Sequence, residues 1–183
     1  FSGRPLIILD GSEISWNAPI NAVFVRANNC EIYGLEIRNF PDDGIDVTGA
    51  NNVRIGAAGK GNVIYNCGSE QDFWPNVNPV GSWEGCGIVL KGGSRDCVIS
   101  GYIVGSNYYE SLRTGNEYCG INIARSSRNV LIGGSNTASG NIIANNPTGV
   151  LIFDGTSGIQ LLQNSFSCND TLAIGLRGNA NTG

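Results

Sequence analysis

The sequence predicts an all-β chain wound as a right-handed, single-stranded parallel β-helix, with about six to seven coils of three short strands each and loop inserts. Three observations predict it. Short apolar patterns recur in a fixed order, their alternation has the two-residue period of strands, and glycine and asparagine punctuate them at matching places. The 183 residues form one domain, 1–183, with 41% hydrophobic residues, enough for a core.

The first element of each coil is a Gly-Ile-x-apolar pattern. It reads Gly44-Ile45-Asp46-Val47, Gly87-Ile88-Val89-Leu90, Gly120-Ile121-Asn122-Ile123 and Gly149-Val150-Leu151-Ile152, with Ala22-Val23 and Ala173-Ile174 as degenerate copies. Its apolar anchor returns after 22, 43, 33, 29 and 24 residues, so a basic coil of 22 residues carries insertions between patterns. The second element is Asn-apolar-x-Ile at Asn29, Asn52 and Asn129, with Asp96 in the same role. Asparagine tolerates left-handed backbone, so these residues turn a corner and can bond to one another along the stack. The third element pairs a small or polar residue with two apolar ones: Asn62-Val63-Ile64, Gly101-Tyr102-Ile103, Asn141-Ile142-Ile143 and Asn164-Ser165-Phe166.

Stacking predicts three inward walls. Val23, Ile45, Ile88, Ile121, Val150 and Ile174 line one; Cys30, Val53, Cys97, Val130 and Ile159 the second; Ile37, Ile64, Ile103, Ile143 and Phe166 the third. β-Branched side chains in register suit a parallel sheet covered on both faces.

Composition narrows function. A net charge of −4 argues against nucleic-acid binding, and the absence of histidine removes imidazole catalysis and ligation. No apolar stretch is long enough to span a bilayer. The chain opens on Phe1, which fits a processed product or a piece of a longer protein. Six cysteines without a Cys-x-x-Cys pair fit an oxidising, secreted or cell-surface setting better than zinc, although buried thiols are an equal reading for several of them. Cys30 and Cys97 fall at inward positions. Cys86 and Cys119 each precede the Gly-Ile of successive coils and are candidates for a disulfide; Cys67 competes for Cys86.

The segments 6–12, 34–56, 101–107 and 129–146 resemble the bacterial right-handed parallel β-helix repeat family of the pectin-lyase-like superfamily. The resemblance implies a module of a large secreted or surface-attached protein, structural or adhesive, or a carbohydrate-active enzyme. Pro41-Asp42-Asp43-Gly44-Ile45-Asp46 looks like a polygalacturonase coil, which would make Asp43 a catalytic carboxylate. The second carboxylate that inversion needs, and that family's Gly-His-Gly and Arg-Ile-Lys, are missing. On that count Asp42 and Asp43 read as solvated corner residues. A polysaccharide lyase acting on uronate-containing glycans is the alternative, with Lys91 or Arg26 as base, Asp46 on the same face, and calcium under that reading alone. No other cofactor and no metal site is expected.

Two inserts stand out. Residues 68–85 and 108–118 follow equivalent strands of successive coils and should leave one corner side by side. Phe73, Trp74, Trp83, Tyr108, Tyr109, Glu110 and Arg113 concentrate there. Aromatic faces flanked by charge suit a glycan or a surface-protein partner. The same rings would equally serve as anchors folded onto the flank. The strand edges at the two ends of the stack offer flanking domains or other subunits a place to pair.

Overall fold

The computed structural model describes residues 5, 7–15, 19–68, 85–107 and 114–178. Its strands lie in three sheets, each parallel throughout, and successive strands of the chain pass from one sheet to the next. Wall one holds β2 (Val23–Val25), β5 (Ile45–Thr48), β8 (Cys86–Lys91), β11 (Cys119–Ile123), β14 (Thr148–Phe153) and β17 (Leu172–Arg177). Wall two holds β3 (Glu31–Ile32), β6 (Arg54–Ile55), β9 (Arg95–Ile99), β12 (Arg128–Gly133) and β15 (Ser157–Leu162). Wall three holds β1 (Ile7–Asp10), β4 (Leu35–Arg38), β7 (Val63–Tyr65), β10 (Ile103–Val104), β13 (Ile142–Ala144) and β16 (Ser165–Ser167). This is a parallel β-helix.

The stacks follow the sequence register. Val23, Ile45, Ile88, Ile121, Val150 and Ile174 pair in one continuous line. Cys97 pairs with Val130, and Val130 with Ile159, on wall two. Wall three departs at one coil. Val104, not Ile103, pairs with Ile64 and Ile143 and is fully buried, while Ile103 is half-buried beside Val63 and Ile142. The cause is Tyr102, which occupies the place that asparagine holds in neighbouring coils and so shifts the pattern by one residue.

The recurrent glycine has a steric reason. A Cβ on Gly87 would lie 2.7 Å from Val104 Cγ1 and 2.8 Å from the carbonyl oxygen of Gly120. On Gly120 it would lie 2.6 Å from the carbonyl oxygen of Gly149. Each glycine thus faces the interior and leaves room for the next coil's carbonyl. Because Gly87 and Gly120 face inward, the residues before them, Cys86 and Cys119, join an outer apolar cluster with Val89, Ala124, Leu151 and Phe153.

Polar corners are closed by side chains stacked coil on coil. Between walls one and two, Asn29, Asn52, Asp96 and Asn129 take φ of 59°, 54°, 57° and 53°. There Asn52 Nδ2 donates to Asn29 Oδ1 at 2.8 Å, and Asn129 Nδ2 to Asp96 Oδ1 at 3.0 Å. Between walls two and three, Asn141 Oδ1 accepts from the Tyr102 backbone at 3.0 Å and Asn164 Oδ1 accepts from the Asn141 backbone at 3.1 Å. Asn62 reaches the Tyr102 hydroxyl in the same stack. Between walls three and one, Asn116, Asn146 and Asn169 repeat the arrangement. Buried backbone groups that strands leave at a corner need such partners.

Candidate functional site

On the outer face of wall one, β5 and β8 bring two predicted residues together. Lys91 Nζ lies 2.8 Å from Asp46 Oδ2. Register explains the contact: Lys91 pairs with Thr48 and Asp46 with Val89, so the charged side chains meet across a diagonal. Thr48 Oγ1 donates to Asp46 Oδ1 at 2.6 Å, and Asn21 Nδ2 approaches Asp46 Oδ2 at 3.5 Å. Asp46 is only 3% exposed, so its charge is enclosed by these partners.

Lys91 is held in its charged form. Burial alone would lower its pKa, but the bond to Asp46, with the charges of Asp46, Asp43 and Asp42, raises it above the ordinary lysine value. A base must give up its proton near working pH, and a lysine so paired resists that. Arg26 stands apart: it is exposed, and its guanidinium sits 4.6 Å from the centre of the Phe24 ring. The predicted common face is therefore a bonded pair plus a separate cation–π contact.

Asp42 and Asp43 are not solvated corner residues. They are 7% and 1% exposed. Asp43 Oδ1 accepts from the Cys86 backbone at 2.9 Å, and the Asp43 backbone donates to Asn21 Oδ1 at 3.0 Å. Burial first, then the neighbouring Asp42 charge, pushes the Asp43 carboxyl well above the usual range. Asp43 thus acts as a coil-to-coil tie where other corners use asparagine. Among the described residues no group of three or more acidic or cysteine side chains is arranged to hold a metal ion.

A second charged cluster had no clear signal in the sequence. On the outside of wall three, Arg38 bonds Asp10 Oδ2 at 2.9 Å and Glu36 Oε1 at 3.1 Å, and the Tyr65 hydroxyl donates to Glu36 Oε1 at 3.0 Å. Hydrogen bonding from Asn39 leads the causes that hold Asp10 down at about 2. The alternation in Leu35-Glu36-Ile37-Arg38 places Glu36 and Arg38 on one outward face, which was the available hint.

The inserts leave where the sequence placed them. β7 and β10 are neighbours in one sheet, β8 and β11 in the next, and the inserts connect β7 to β8 and β10 to β11. The neck of the first is tight, since a Cβ on Gly68 would lie 2.7 Å from Gly85 Cα and 2.4 Å from Glu117 Cβ. Backbone bonds from Glu117 to Cys67 and from Tyr118 to Gly85 join this neck to the base of the second insert. Phe73, Trp74, Trp83, Tyr108, Tyr109, Glu110 and Arg113 lie outside the described residues. Tyr118, within the second insert, packs against the outer cluster of wall one as an anchor.

The thiols divide by face. Cys67 and Cys97 belong to the inner core, with Cys30 packed against it, whereas Cys86 and Cys119 belong to the outer cluster. Among the described residues no helix is long and apolar enough to cross a membrane. No protein-family model, curated protein or solved structure matches this chain.

Proposed function

We propose that the chain is a non-catalytic structural or adhesive module of a secreted or cell-surface protein, holding a glycan or a protein partner through its paired inserts. The observation that carries this reading is the shared origin of the two inserts at one corner of adjacent coils, tied together by backbone bonds at their bases. Segments that leave adjacent coils at one corner suit a shared ligand, and their sequences hold the aromatic and charged residues that sugars and protein hot spots favour. The closed Lys91–Asp46 pair supports a non-catalytic role, since one of the two candidate bases is already engaged. The resemblance to bacterial β-helix repeat proteins and the cysteine usage support an extracellular setting.

Retention on immobilised uronate-containing and neutral glycans tests the reading. Trp74→Ala and Trp83→Ala should each weaken retention while leaving the thermal midpoint unchanged. Retention unaltered by both substitutions would remove the inserts from the binding role. Unsaturated uronate product, formed with or without added calcium, would replace the module reading by the lyase alternative.

A further inference from the structure

The geometry points to a covalent bond between Cys86 and Cys119, a cystine that staples two adjacent coils at the bases of both inserts. The two residues are directly paired partners in the parallel register of β8 and β11. Neighbouring strands stand about 4.8 Å apart, and disulfides join Cα atoms about 4.4–6.8 Å apart. Both side chains project to the same side, because the glycine following each one faces the interior. Their Sγ atoms are 2.7 Å apart and both residues are fully buried.

The competing partner is on the wrong side of the wall. Cys67 lies in the inner core with its Sγ 3.7 Å from the Tyr65 carbonyl oxygen, and a Cβ on the inward-facing Gly44 would lie 3.4 Å from that sulfur. A bond from Cys86 to Cys67 would have to cross the β-sheet. Cys97 is likewise an inner-core residue, and Cys168 is exposed on the last turn.

The chemistry is thiol–disulfide exchange with a small disulfide such as oxidised glutathione. One thiolate attacks a glutathione sulfur, breaking the S–S bond and releasing one glutathione thiolate. The second thiolate then attacks the mixed disulfide, forming the Cys86–Cys119 bond and expelling the other glutathione. Two electrons pass from the protein thiols to the small disulfide, and the two protein protons end on the released thiols. Since neither sulfur reaches solvent in the closed fold, exchange takes place while the coils assemble, and the finished bond is shielded from reductant. The bond closes the loop that contains the second insert and all of wall two's β9, and it holds Gly85 and Tyr118, which flank the two insert bases, at fixed separation.

The full chain is refolded from denaturant in mixed oxidised and reduced glutathione, alkylated in denaturant, and mapped as peptides without reduction. The expected result is one cross-linked peptide pair carrying Cys86 and Cys119, two hydrogens lighter than the thiol forms, with Cys67 and Cys97 alkylated. The oxidised chain should also melt roughly 5–15 °C above the reduced chain. Cys119→Ala should abolish that difference. Alkylation of both Cys86 and Cys119, a peptide linking Cys86 to Cys67, or an unchanged midpoint between oxidised and reduced wild-type chain would overturn the proposal.

Discussion

Replacing Asn146 by leucine tests whether the buried side-chain stacks hold the coils together. Asn146 is fully buried between walls three and one. Its Oδ1 accepts from the Asn116 backbone at 3.1 Å and from Asn116 Nδ2 at 2.9 Å. Its Nδ2 donates to the carbonyls of Val104 at 3.2 Å and Ala144 at 3.0 Å. Leucine has similar bulk but can replace none of these bonds. Two donors on Asn116, itself 1% exposed, would lose their acceptor without gaining water. At about 1–3 kcal/mol for each orphaned buried donor, the loss is about 2–6 kcal/mol. The two carbonyls add less, since an under-satisfied acceptor is better tolerated than an orphaned donor. Against a whole-domain stability of about 5–15 kcal/mol, this is a large fraction. Asn52→Gly is the control. Asn52 sits in an exposed stack at φ 54°, so glycine loses one solvated bond but relieves the left-handed backbone; the net change should stay within about 1 kcal/mol. Urea unfolding of the three chains measures both numbers. If Asn146→Leu loses no more than Asn52→Gly, the buried stacks are not what closes the corners.

Two further outcomes follow from the same geometry. Asp43 binds its proton more tightly folded than unfolded, because burial and Asp42 raise its pKa; stability should therefore fall as pH climbs from the ordinary carboxylate value of 3.8 towards the raised one. Asp43→Asn keeps an acceptor for the Cys86 backbone and should flatten that part of a plot of thermal midpoint against pH; an unaltered slope would place the titration elsewhere. Gly120→Ala sets a methyl group 2.6 Å from the Gly149 carbonyl oxygen and 3.0 Å from Ile143 Cγ2. It should cost about 1–3 kcal/mol by denaturant unfolding, and a neutral result would mean that the glycine column is not sterically required.

Much of the fold was legible because stacking turns a one-dimensional repeat into a three-dimensional register. A Gly-Ile dipeptide that recurs across loops of different length can only mark the same point on successive coils. The slip at Ile103 shows the limit. Tyr102 fills an asparagine's place through its backbone bond to Asn141 and its hydroxyl near Asn62, so a chemical equivalence was hidden behind an unlike side chain. The Asn116–Asn146–Asn169 stack was hidden differently: those residues precede their inward anchors Ile121, Val150 and Ile174 by unequal offsets, so no fixed spacing exposes them. At the candidate site, alternation placed Asp46 and Lys91 on one face but could not reveal that their diagonal contact is closed and bonded. Nor could it distinguish a wetted Asp43 from a buried one, since burial depends on what lies against a corner and the sequence pattern records only which way a residue points.

The neck at Gly68 and Gly85 has a consequence for how such a chain can change. With the two glycine backbones in contact, the winding path enters and leaves residues 69–84 at nearly the same point. That stretch is an exchangeable cassette: its length and composition can drift, or foreign sequence be grafted there, without altering the pitch of the column. Variation in that stretch is thereby uncoupled from the invariance the framework demands.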